Sequence, residues 1–129
     1  MSKKKVITKK SAKRLDLVPP TSPRVSIGDL CERYSIIQPD LTRLTGYSPR
    51  TVATWKKDGV TSNAAMKQVR ELIRLFAALS EHMEPNYVGT WLKDPNDAFE
   101  GSTPLQVIER GHVDRIWRMI YYLETGQPF

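Results

Sequence analysis

Two histidines, one cysteine and two pairs of carboxylates come closest to a catalytic or metal-binding pattern in this 129-residue chain. His82 and His112 lie far apart, and neither has a Cys, His or Asp at the spacing of a tetrahedral zinc site. No glycine-rich loop of the phosphate-cradling type occurs. Glu81 with Glu84, and Asp94 with Asp97, stand in polar stretches where solvated helix ends and turns account for them. Cys31 is surrounded by helix-forming residues and reads as a small core side chain rather than a nucleophile. The chain therefore reads as a non-enzyme, and no cofactor or metal is expected.

A different chemistry is legible between residues 41 and 57. Leu41 and Leu44 are spaced to pack one short helix onto the next, and Gly46 supplies the positive φ of a tight turn. Ser48 caps the second helix, Pro49 fills its first turn, and Val52 and Trp55 mark its buried side. The opposite side presents Arg50, Thr51, Thr54 and Lys57, with Lys56 nearby. An arginine in the first turn of such a helix can pair with guanine, and threonines can touch base edges or phosphates. Lys56 and Lys57 suit backbone phosphates. Arg43, on the helix before, belongs to the same DNA-facing set. The pattern resembles the Xre/Cro-like helix-turn-helix class over roughly residues 28–80. An ordinary helix packing unit with a solvated basic face, or a helix-turn-helix kept for dimerisation, would use the same residues.

The elements that must position this unit follow from caps and periodicity. Ser26 with Asp29 resembles a capping box ahead of Leu30, Tyr34 and Ile37. Pro39 opens a short second helix, and Tyr47 is placed to staple onto Val52. Met66, Val69, Leu72, Ile73, Phe76, Leu79 and Met83 then fit a long amphipathic helix that Pro85 breaks. Tyr87, Val88, Trp91 and Leu92 suggest a short helix, and residues 94–97 a turn cluster. Thr103, Pro104 and Gln106 form a second capping box, and Gly111 separates that helix from a last one. The last helix carries Val113, Ile116, Trp117, Ile120 and Leu123 and ends at Gly126. Nothing alternates with period two for long enough to make a strand, so the expected fold is all-α.

From Trp91 onward the residues Trp91-Leu92, Pro95-Asn96, Phe99, Gly101, Thr103-Pro104-Leu105, Ile108, Gly111, Val113, Ile116, Ile120, Leu123 and Gly126 resemble the toxin-binding domain of Xre/MbcA/ParS-type antitoxins. The resemblance covers about 35 residues and follows a helix-turn-helix, the domain order of that family. It implies an antitoxin that neutralises a RES-domain toxin, a class that consumes NAD, and that represses its own operon. It also implies that the C-terminal region contacts the toxin near its active-site cleft. Tyr122, Gln127, Pro128, Phe129 and Arg115 are the residues expected there. The surroundings Arg118-Met119 and Tyr121-Tyr122 are bulkier than the family pattern. Trp117, Tyr121, Tyr122 and Phe129 cannot all face one core from a single helix, which favours an interface with a partner or a second copy. Alternatively, Phe129 folds back onto Trp117.

Charge and composition bound the rest. The net charge is +6, yet residues 1–24 hold eight basic residues against Asp16 alone, so the remainder is slightly acidic. From residue 80 onward Lys93, Arg110, Arg115 and Arg118 face twice as many carboxylates. A basic front and an acidic back suggest two kinds of partner. Residues 1–25 are lysine-rich and then proline-punctuated, without apolar periodicity, and read as a disordered basic arm. The expected organisation is 1–25 arm, 26–83 helix-turn-helix domain with its long connecting helix, and 84–129 helical toxin-binding domain. No apolar run approaches the ~18 residues of a membrane span, and no secretory signal opens the chain. The expected setting is the bacterial cytosol, at the nucleoid when bound to a palindromic operator as a homodimer or higher oligomer. The alternative is a stand-alone dimeric transcriptional regulator whose C-terminal helices serve only dimerisation.

Overall fold

The computed structural model describes residues 26–126, and these are all-helical. Seven α-helices follow in order: α1 (Ile27–Tyr34), α2 (Gln38–Thr45), α3 (Pro49–Asp58), α4 (Asn63–Leu79), α5 (Val88–Leu92), α6 (Pro104–Glu109) and α7 (Val113–Thr125). Two single 3-10 turns, Pro85–Tyr87 and Asp97–Phe99, flank α5. The expected basic arm, residues 1–25, lies outside the described residues, as do Gln127, Pro128 and Phe129.

Local chemistry starts most of these helices. The hydroxyls of Ser26, Ser48, Ser62 and Thr103 each accept an amide from the first turn of the helix they precede. Each thereby satisfies one of the donors a helix start leaves open. At Thr103 the box is closed, because Gln106 Oε1 accepts the Thr103 amide at 2.9 Å. Ile37 precedes α2 without any capping oxygen of its own, and Asp40 accepts its amide at 3.2 Å instead. Gly46 ends α2 with φ 81°, which brings α3 round after three residues.

The long helix stops earlier than its periodicity predicts. α4 ends at Leu79, although Met83 continues the apolar stripe. Pro85 disfavours helical geometry in the residue before it, and Glu84 is extended at ψ 139°. The chain then tightens, with the Glu81 and His82 amides donating three residues back to Ala78 and Leu79 at 3.2 and 2.9 Å, and the Ser80 hydroxyl bonds the Phe76 carbonyl at 2.8 Å. Met83 still packs, half-buried, against the core.

One apolar core runs through all seven helices, continuous across residues 83 and 84. Leu41, Val52, Val69, Phe76, Leu79, Val88, Leu92, Leu105 and Ile116 are among its most deeply buried members. α2 packs on both α3 and α6, α1 packs on the Pro85–Tyr87 turn, and α4 packs on α7. At Gly89 the backbone of α5 lies so close to the end of α1 that a Cβ would fall 2.0 Å from the Ser35 carbonyl oxygen.

Candidate functional site

The basic surface of the α2–turn–α3 unit is built from inside outward. Val52 and Trp55 fix the buried side of α3, and Tyr47 sets its ring edge-on to Trp55 at 5.0 Å. The sequence expectation paired Tyr47 with Val52 by a staple. The Gln38 amide donates to the Pro49 carbonyl at 3.3 Å, tying the start of α2 to the start of α3. Gln68 of α4 donates to the Thr45 carbonyl at 2.9 Å and holds the end of α2.

On this frame Arg50, Thr54 and Lys57 recur at i, i+4 and i+7, so they share one exposed helix face. None of Arg50, Lys56 and Lys57 makes an ion pair among the described residues. The threonines are less available. Thr51 Oγ1 accepts from the Ser48 hydroxyl at 3.0 Å and is half-buried, and Thr54 Oγ1 donates back to the Arg50 carbonyl at 3.0 Å. Lys56 lies on a different flank, close enough to α1 to act on Cys31. Burial pushes the Cys31 thiol up, Lys56 opposes this more weakly, and Asp40 adds to the rise. Cys31 is accordingly a protonated, buried thiol at neutral pH.

Arg43 is already engaged. Its guanidinium meets Glu109 of α6 with two bonds, Nε to Oε2 at 2.8 Å and Nη2 to Oε1 at 2.7 Å. Those hydrogen bonds hold the Glu109 carboxyl below the usual glutamate range and raise the Arg43 guanidinium. A second ion pair reaches the same helix, Lys93 Nζ to the buried Asp40 Oδ2 at 3.2 Å. α2 is thus gripped by two cations and anions exchanged with the C-terminal segment. Glu109 and Lys93 were not anticipated from the sequence, where the partners stand far from α2.

At the other end, Arg115 and Tyr122 share a recess of about 320 Å³ with Phe99, Glu100, Arg118 and Met119. Arg115 donates to Glu100 at 2.9 Å and lies over the Phe99 ring at 5.4 Å, bracing the Asp97–Phe99 turn. Arg118 pairs with Asp114 one turn back at 3.4 Å. Tyr122 is half-buried, with its ring 5.9 Å from that of Tyr121. His82 reaches Glu124 at 3.7 Å and joins the turn after α4 to α7, while His112 precedes α7 as its N-cap residue. Among the described residues no three His, Cys, Asp or Glu side chains cluster to hold a metal.

No profile of a known protein family matches the chain. It is similar to the mycobacterial cidal antitoxin MbcA of Mycobacterium tuberculosis H37Rv and of Mycobacterium bovis, at 24% identity over 102 residues in each case. The match takes in 78% of this chain and 90% of MbcA. The Sinorhizobium fredii protein y4oB is 27% identical over 99 residues, 74% of this chain and 77% of its own. Among solved structures, a chain of the M. tuberculosis MbcT–MbcA toxin–antitoxin complex superposes with a TM-score of 0.63 at 24% identity. That superposition covers 81% of this chain and 95% of the other, and it establishes a common fold.

Proposed function

We propose that this chain is an antitoxin that binds and neutralises a cognate toxin. The observation that carries the reading is the likeness to MbcA along 90% of the length of that antitoxin, in a shared all-helical fold. The toxin is of the RES-domain, NAD-consuming class that the C-terminal motifs imply. This chain supplies no chemistry to that neutralisation: it occupies and excludes. The recess around Tyr122 and Arg115 is assigned to the toxin, and so are Gln127, Pro128 and Phe129, the residues that follow α7 in the sequence. The α2–turn–α3 unit acts as a helix-turn-helix, and a homodimer of the chain represses its own operon at a palindromic site. Arg50 reads a base, Thr54 and Thr51 line the approach, Lys57 and Lys56 meet phosphates, and Arg43 stands in the same DNA-facing set while held by Glu109. No helix among the described residues is long and apolar enough to cross a membrane, and the proposed setting is the bacterial cytosol.

The test is co-expression of the full chain with the product of the adjacent reading frame. Co-purification and rescue of growth are expected. Tyr122→Ala combined with removal of residues 127–129 abolishes rescue and leaves the melting temperature and DNA binding nearly unchanged. Full rescue by that variant, stable and truncated, removes this end from the toxin surface. A chain that neither co-purifies nor rescues is not an antitoxin for that neighbour.

A further inference from the structure

Arg43 stands between two surfaces. On one side it lines a shallow recess of about 320 Å³ with Gln38, Thr42 and Pro49, where α2 and α3 begin. Arg50, the residue assigned to a base, follows Pro49 directly. On the other side its Nε and Nη2 edge is taken up by the Glu109 carboxylate of α6, at 2.8 and 2.7 Å. The two side chains are 44 and 34% exposed, so solvent reaches this pair. The second tie between α2 and the C-terminal segment differs. The Asp40 side chain is only 6% exposed, and the Oδ2 that meets Lys93 also accepts the Ile37 amide. One tie is buried and built into the start of α2, and the other is open to exchange.

We propose that Glu109 is an internal competitor for DNA phosphate: it holds Arg43 in the free chain, DNA takes Arg43 from it, and α6 thereby restrains the DNA affinity of the helix-turn-helix. A guanidinium edge accepts a carboxylate and a phosphate in the same way, through two parallel bonds. The exchange leaves the helices in place, because the Lys93–Asp40 pair and the packing of α2 on α6 do not depend on it. Leu41, Leu44 and Leu105 hold that packing within the common core. Arg110, the next residue on α6, remains to offset the carboxylate that Arg43 leaves. An exposed pair of this kind is weak, so the restraint amounts to about a two- to fivefold loss of affinity. Glu109 belongs to the C-terminal segment, so that segment tunes the affinity of a surface it does not itself form. The proposal rests on the DNA reading of the α2–turn–α3 unit and needs no toxin.

The experiment titrates the full chain onto a random-sequence duplex at low salt, since a phosphate contact is indifferent to sequence. Wild type, Glu109→Gln, Arg43→Ala and the double variant are compared, with circular dichroism to confirm folding. Glu109→Gln is expected to bind about two- to fivefold tighter. Arg43→Ala should cost more affinity in the Glu109→Gln background than in the wild type, by the same factor, because only there is the guanidinium already free. A carboxylate acting merely as a nearby negative charge would make the two costs equal, and that result overturns the proposal. The second reading uses the wild-type chain alone: the Arg43 Nε–H resonance, hydrogen-bonded to carboxylate in the free chain, should shift when DNA is added. A resonance unmoved at saturation also overturns the exchange. A wild-type chain that binds no duplex at all removes the DNA reading and this proposal together. Binding with equal costs, or with an unmoved resonance, removes this proposal and leaves the DNA reading standing.

Discussion

Replacing Gly89 by alanine sets two physical effects against each other, and the structure decides between them. Gly89 lies within α5, where alanine is favoured over glycine by roughly 0.5–1 kcal/mol through backbone entropy. Its added Cβ, however, falls 2.0 Å from the Ser35 carbonyl oxygen, 2.7 Å from the Ser35 carbonyl carbon and 2.9 Å from the Tyr34 oxygen. These are backbone atoms at the end of α1, where Ser35 already adopts φ 58°, so no rotamer change relieves the clash. α5 must lift away from α1 by an ångström or more, and that disturbs Val88 and Leu92, which are 0 and 1% exposed. Overpacking of this kind costs about 1–3 kcal/mol and sometimes more. The backbone origin of all three contacts puts the net loss near 2 kcal/mol after the helix gain is subtracted. For a domain of this size that lowers the melting temperature by roughly 8–16 °C. Gly28→Ala is the matched control: its Cβ would meet only Ser26 Oγ, at 3.9 Å, so it should gain a few tenths to 1 kcal/mol and melt slightly higher. Calorimetry of the three proteins, with urea titration as a check, reads the signs directly. A Gly89→Ala protein that melts at or above the wild type refutes the argument that close backbone approach holds this glycine in place.

Glu109→Gln should barely move the melting temperature, since the exposed pair it breaks is worth about 0–1 kcal/mol. It should tighten DNA binding and steepen the salt dependence by about one ion, because Arg43 is released to a phosphate; an unchanged slope in a binding titration would place Arg43 off the DNA. The same pair sets a pH dependence. The folded Glu109 carboxyl titrates below its unfolded value, so its contribution is complete above the ordinary glutamate range and is lost as pH falls through the folded value. Acid titration of stability should therefore show a smaller acid-limb loss in Glu109→Gln than in the wild type, and identical limbs would deny the pair any role. Arg50→Ala should cost operator binding about 1–3 kcal/mol and relax one base position, whereas Lys57→Ala should weaken operator and random DNA alike. Equal losses on both DNAs for both variants would mean that Arg50 reads no base.

What the sequence makes legible here is what a few neighbouring residues decide among themselves. Ser48 before Pro49, Thr103 with Gln106, and the glycines at positions 46 and 126 place helix ends because capping bonds span only three or four residues. The apolar stripe of α4 is legible for the same reason, while its early end is less so, since Ser80 takes the Phe76 carbonyl by a side-chain bond that periodicity does not register. Across helices the signal fails. Nothing in the chain announces that Arg43 will meet Glu109, 66 residues away, or that Lys93 will reach Asp40. Gly89 illustrates the loss best, because read locally it is a weak helix residue and only the packing of α5 on α1 makes it necessary. The same holds for the surface. The sequence shows that α7 carries more aromatic residues than one core can take, but not that they divide into two sides, Tyr122 beside Arg115 and Trp117 beside the α4 groove. That division matters more for function than any single contact. Substitutions at Tyr122 and at Trp117 therefore perturb two different surfaces of one helix.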